Sequence, residues 1–190
     1  MGGMISQELA IRHPQLVATL TSIMSNTGSH RNRRPSSTLL PALVKARSNA
    51  TGGLEDAIAL GRLIAGPHFD EESARQVEEL EISRAGDPTT ARQGVARQTL
   101  AVLNARDRTA DLGRVNAPTL VVHGLLDRLV RPAGGMATAQ AVPGARLVMY
   151  PDMAHDIPAS RIPEISELLL INFGRAPVVA PEPSDVVAAL

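Results

Sequence analysis

Pro118-Thr119-Leu120-Val121-Val122-His123-Gly124-Leu125-Leu126-Asp127 is the stretch that decides the fold. From Thr119 to His123 the chain is short, almost continuously apolar and rich in valine, the pattern of a parallel strand covered on both faces. A strand with one wet face would alternate instead. Downstream, Pro132 to Val142 reads as a helix of small residues, and Arg146-Leu147-Val148-Met149-Tyr150 as a second short strand. Ile162, Ile165, Leu169 and Phe173 then mark one face of a closing amphipathic helix.

Upstream, Leu16 to Ser25 reads as a buried strand entering the Asn26-Thr27-Gly28 loop, and Met1 to His13 as a helix. Met1, Ile5 and Leu9 recur at four-residue spacing, and Pro14 pushes its predecessor out of the helical region. From about 36 to 106 there is no strand signal. Leu54, Ala57, Ile58 and Ile64 share a helical face, and Asp70-Glu71-Glu72 is an acidic first turn suited to a helix N-terminus. Asp87-Pro88 is an N-cap and N1 pair, followed by Val95, Thr99, Val102 and Leu103 at helical spacing. Alternation of this kind implies an α/β domain with three parallel strands and flanking helices. Its expected parts are a core of 1–27 and 107–173, a helical insertion at 28–106, and a disordered tail at 174–190 around Pro181-Glu182-Pro183.

Ligands of such sheets sit beyond the carboxyl ends of the strands. The loop after His123 carries Asp127, and the loop after Tyr150 carries His155. An acid and a histidine at adjacent strand ends are what acyl transfer needs: the imidazole takes the nucleophile's proton, and the acid fixes its tautomer. Taken singly, Asp127 is an ordinary turn former in a glycine-containing loop. Asp152 and Asp156 flank His155, but sequence neighbours seldom reach a ring correctly, so Asp127 ranks first as partner. His123 reads as a packing histidine at the strand end, and His30-Arg31-Asn32-Arg33-Arg34 as a solvated basic loop.

Gly124-x-x-Asp127-x-Leu129-Val130-x-Pro132 and Pro151-x-Met153-x-His155-Asp156-x-Pro158 resemble the acid and histidine loops of α/β-hydrolases. Met1-Gly2-Gly3-Met4-Ile5-Ser6-Gln7 is similar to the helix start that follows the nucleophile elbow, where Gly-x-Ser-Met-Gly-Gly is common. Arg97-Gln98 and Ala105-Arg106-Asp107-Arg108 resemble the aclacinomycin methylesterase-like subgroup. The resemblance implies a partial α/β-hydrolase fold with 28–106 as a cap, and carboxylic ester hydrolysis through an acyl-enzyme. His155 would be the base, Asp127 its acid, and the Met1 position one oxyanion-hole donor. Leu60, Leu63, Ile64 and Leu103 of the cap would line the pocket. Met after the elbow position favours a Ser nucleophile over the Asp, usually followed by Trp, of dehalogenases and epoxide hydrolases.

That Ser would lie directly upstream of Met1. No serine in the chain has glycines two before and two after it, so the chain alone is expected to be inactive. The competing reading is a non-catalytic truncated remnant or binding module.

Composition narrows the partners. The 190 residues carry 19 basic and 19 acidic side chains, two Phe, one Tyr and no Trp, which gives neither charge nor stacking platforms for nucleic acid. No run approaches the roughly 20 apolar residues of a membrane span. Met1-Gly2-x-x-x-Ser6 fits the lipid-attachment pattern, but the elbow already accounts for its glycines. The lack of cysteine excludes thiolate chemistry, and no His or acidic cluster suggests a metal. No cofactor is expected, and the partner would be a small-molecule ester. The lack of a secretory signal points toward the cytoplasm without fixing the compartment. The uncharged Leu16–Ser25 strand would form a sheet edge, so self-association through it is expected.

Overall fold

In the computed structural model three strands, β1 (Leu20–Ile23), β2 (Thr119–Gly124) and β3 (Arg146–Tyr150), form one parallel sheet in the order β1-β2-β3. The structure describes residues 1–32, 34–48, 53–85 and 88–177. Leu20 stands opposite Thr119, and Leu120 opposite Arg146. The valine-rich strand is the central one, and all six of its residues are buried, as a strand with helices on both faces requires.

On one face, α1 (Gly2–Arg12), α6 (Thr109–Leu112) and α7 (Ala133–Ala141) enclose Ala10, Leu20, Leu112, Val115 and Val142. On the other, α8 (Ile162–Phe173) covers Leu120, Val122, Tyr150, Met153 and Ile165. Between β1 and β2 the chain makes α2 (Leu40–Ser48), α3 (Leu54–Ile64), α4 (Glu71–Ala85) and α5 (Pro88–Leu103). Among the described residues, the stretch without strand signal carries helices and no strand. Ile58 is the fully buried member of the face read on α3. The Asp87 cap and the tail from 178 onward lie outside the described residues, as does the Val95 side chain.

Three readings are corrected. The inner face of α1 is Met4, Gln7 and Ala10, while Met1, Ile5 and Leu9 are 47%, 58% and 42% exposed. The apolar spacing misled because the buried stripe contains a glutamine. Gln7 Nε2 donates to Ser22 Oγ at 3.4 Å, and its Oε1 accepts from Arg108 Nε at 3.0 Å. Arg108 is itself buried and spends its other nitrogens on the Arg106 and Asn26 carbonyls. Its burial lowers the guanidinium's proton affinity, against the pull of Glu8. The first strand is shorter than read, because Pro14–Leu16 forms a 3₁₀ turn and the ladder begins at Leu20. On α8, Ile165 and Leu169 face the core as read, but Ile162 and Phe173 are both 52% exposed and the other fully buried position is Asn172. Asn172 Nδ2 donates to the Leu20 carbonyl at 3.1 Å, so a polar residue again occupies a core-facing slot.

Candidate active site

The two loops that carry the acid and the histidine are held edge to edge by the sheet beneath them. Leu125 N donates to Tyr150 O at 2.8 Å and Leu126 N to Met153 O at 3.0 Å, which extends the β2–β3 pairing past the strand ends. Gly124 makes this approach possible: a Cβ there would stand 2.1 Å from the Met153 carbonyl oxygen.

Asp127 and His155 meet on this platform. His155 Nδ1 lies 2.8 Å from Asp127 Oδ2. The other carboxylate oxygen, Oδ1, accepts from Leu129 N at 2.9 Å and Val130 N at 2.8 Å. The Asp127 side chain is wholly buried, whereas that of His155 keeps 24% of its surface exposed. Burial alone would push the Asp127 carboxyl up. The donors from His123 and His155, with the backbone N–H of Val130, outweigh it and hold the group below the usual carboxylate range. An ionised Asp127 accepts the Nδ1 proton, which leaves the lone pair on His155 Nε2. Among the described residues no hydrogen-bond partner occupies that nitrogen. The pair can therefore accept a proton at Nε2 and stabilise the resulting imidazolium.

The neighbouring acids are engaged elsewhere. Asp152 pairs with Arg161 at 2.9 Å, and the guanidinium keeps its carboxyl low. Asp156 Oδ1 accepts from Gly66 N at 2.7 Å, so it faces the end of α3. Met1 caps α1, and its carbonyl accepts from Met4 N at 2.9 Å. A Cβ on Gly3 would stand 2.6 Å from Ser25 Cβ, just past the end of β1, so α1 starts at the carboxyl edge of the sheet. Met1 thus shares that edge with Asp127 and His155, although no hydrogen bond joins it to them. Ser6 Oγ donates to Gly2 O and Ser22 Oγ accepts from Gln7. No serine among the described residues is hydrogen-bonded to His155.

Of the residues expected to line a pocket from the helical block, Leu60, Leu63 and Ile64 are half-buried on α3 and Leu103 is 63% exposed at the end of α5. His123, read as a packing residue, touches the site: its Nε2 is 2.7 Å from Val130 O and 3.5 Å from Asp127 Oδ2. The signal was its position at the strand end four residues before the acid. Among the described residues no group of three or more His, Asp or Glu side chains could hold a metal ion.

Residues 1–160 match the model of the alpha/beta hydrolase fold family. The chain belongs to that family. It is similar to the pimeloyl-[acyl-carrier protein] methyl ester esterase of Aromatoleum aromaticum, at 28% identity over 161 residues, covering 82% of this chain and 64% of that protein. Among solved structures, the enol-lactonase of Burkholderia xenovorans is 26% identical with a TM-score of 0.62, over 92% of this chain and 63% of that one. The 2-hydroxy-6-oxo-6-phenylhexa-2,4-dienoate hydrolase of a Rhodococcus species is 21% identical with a TM-score of 0.69, over 91% and 61%. The chain thus spans somewhat less than two thirds of the length of each of these relatives.

Proposed function

We propose that this chain supplies the base and the acid of a serine-type carboxylic ester hydrolase. The observation that carries the reading is the 2.8 Å contact between His155 Nδ1 and a buried Asp127 whose second oxygen is already clamped by two amides. In the reaction a Ser Oγ attacks the ester carbonyl carbon while His155 Nε2 takes its proton. The tetrahedral intermediate collapses, the C–O bond to the alcohol breaks, and the alcohol leaves with that proton. Water, deprotonated by the same nitrogen, then releases the acid and returns the proton to Ser Oγ. Asp127 holds the ring and its charge throughout.

The nucleophile is assigned from the resemblance to the position directly before Met1, with the Met1 backbone N–H as one oxyanion donor. On this reading the chain alone does not turn over, and residues 28–106, including α2 to α5, form the cap over the ester. The subgroup assigned is the aclacinomycin methylesterase-like one, and the esterase and lactonase relatives support a small-molecule ester as substrate.

The test compares the chain as given with the same chain joined behind a strand, an oxyanion loop and an elbow of α/β-hydrolase type, ending in Gly-x-Ser. The chain as given should neither label with a serine-directed fluorophosphonate nor cleave activated short-chain esters, while the joined chain should do both. Stoichiometric labelling of the chain as given would overturn the assignment of the nucleophile. A joined chain that folds but stays silent would favour a non-catalytic binding module.

A further inference from the structure

His123 is fully buried near the carboxyl end of a strand otherwise composed of Thr, Leu, Val and Gly. A valine would fill such a place without the cost of desolvating two ring nitrogens. One of them, Nδ1, has no hydrogen-bond partner among the described residues. The other, Nε2, lies 2.7 Å from the Val130 carbonyl, which can only accept, so the ring carries its proton on Nε2. The same nitrogen is 3.5 Å from Asp127 Oδ2, the oxygen that receives His155.

The Val130 carbonyl belongs to the turn whose amides, Leu129 N and Val130 N, grip Asp127 Oδ1. One imidazole N–H therefore anchors the far end of the turn and leans on the near oxygen of the acid. Gly135, near the start of α7, packs closely against the ring. A Cβ at Gly135 would stand 2.5 Å from His123 Nδ1.

We infer that His123 is a positioning residue for the acid: through Val130 O and Asp127 Oδ2 it fixes the 127–130 turn and aims the carboxylate at His155. The inference rests on the acid–base reading of Asp127 and His155. It adds a second, fully buried histidine that never meets the substrate.

The test is nitrogen-15 NMR of histidine side chains in the full chain, which reports tautomer and hydrogen bonding without requiring turnover. In the unsubstituted chain His123 should carry its proton on Nε2, and the His155 Nδ1–H should give a low-field, slowly exchanging signal. His123→Leu should lose that His155 signal or exchange it with solvent about tenfold faster, the change expected for one hydrogen bond. His123→Gln should restore it, since its amide N–H can reach the Val130 carbonyl. Gly135→Ala, which displaces the ring without removing it, should shift the same signal and covers the case in which His123→Leu fails to fold. A His155 signal that is unchanged in His123→Leu, or in Gly135→Ala where the former does not fold, would overturn the positioning role alone. Its absence from the unsubstituted chain would overturn the acid–base reading beneath it.

Discussion

Asp156 Oδ1 accepts the Gly66 N–H at 2.7 Å, and beside it the His155 N–H donates to the Ile64 carbonyl at 3.2 Å. The end of α3 is thereby fastened to the loop that carries the imidazole. The orphan Ile64 carbonyl at the helix terminus, and the Gly66 N–H just beyond it, find their partners in the histidine loop. A movement of α3 must pull on His155, or break these two bonds first.

Asp156→Ala should accordingly cost about 1 kcal/mol of stability, the usual worth of one such bond. It should also raise amide exchange at Gly66 and His155 together, whereas Asp156→Asn, which keeps the accepting oxygen, should do neither. Exchange that rises at Gly66 and not at His155 would show that the two contacts are independent.

In the joined chain described above, Asp127→Asn should lower ester turnover by up to about 10⁴, because the imidazole loses the partner that fixes its tautomer. His155→Ala should be at least as damaging. Asp152→Asn should have little effect, since that carboxylate is committed to Arg161. A large loss in Asp152→Asn with a silent Asp127→Asn would reverse the assignment of the acid.

The depressed Asp127 carboxyl also makes a pH prediction. A group whose proton affinity falls on folding adds stability above its unfolded value, about 3.9, and loses that contribution as the pH falls through its lower folded value. Other carboxylates here, such as Glu8 and Asp152, shift the same way under their arginines. The diagnostic is therefore a difference. The stability gap between the unsubstituted chain and Asp127→Asn should close as the pH falls from about 5 through the carboxylate range. Chemical denaturation across that range measures it, and a gap that widens in acid would contradict the assignment.

Two glycines should respond in opposite ways to alanine. Gly124→Ala drives a methyl into the Met153 carbonyl at the platform of the site and should cost about 3 kcal/mol. Gly94 lies in α5 with nothing within 4 Å of its would-be Cβ, so Gly94→Ala should gain up to about 1 kcal/mol. Thermal unfolding of the pair checks both signs in one experiment.

β1 forms one edge of the sheet, and Leu20 N and Met24 N already donate to β2, which turns Thr21 N and Ile23 N toward the unpaired side. We expect self-association through this edge at micromolar concentration. Thr21→Pro removes one of the outward donors without touching the inner ladder, and should shift the mass seen by light scattering toward the monomer. An unsubstituted chain that is already monomeric would sink this prediction.

The sequence disclosed the central strand, the strand after it and the loops that bear Asp127 and His155, because a doubly covered parallel strand leaves an unmistakable apolar run. It was less informative where polar side chains face inward. Gln7 and Asn172 occupy buried slots on α1 and α8, so the apolar stripe lay on the wrong side of the first helix and partly so on the last. Periodicity weighs only hydrophobicity and cannot know that Ser22, Arg108 and the Leu20 carbonyl wait opposite. His123 was read as a packing residue and is fully buried, but its partner is a carbonyl that no sequence pattern marks.

The register of the sheet bears on how the molecule comes to be made. β2 and β3 are joined by α7 alone, with Leu120 opposite Arg146, whereas β1 must find β2 across the whole helical block to set Leu20 against Thr119. Closing the short loop costs less chain entropy than closing the long one, so the unit from Thr119 to His155 is expected to condense first. Asp127, His155 and His123 all lie inside that unit. The acid–histidine pair is then assembled early and locally, and the later arrival of β1 and α1 brings the remaining wall of the site to a pair already in place.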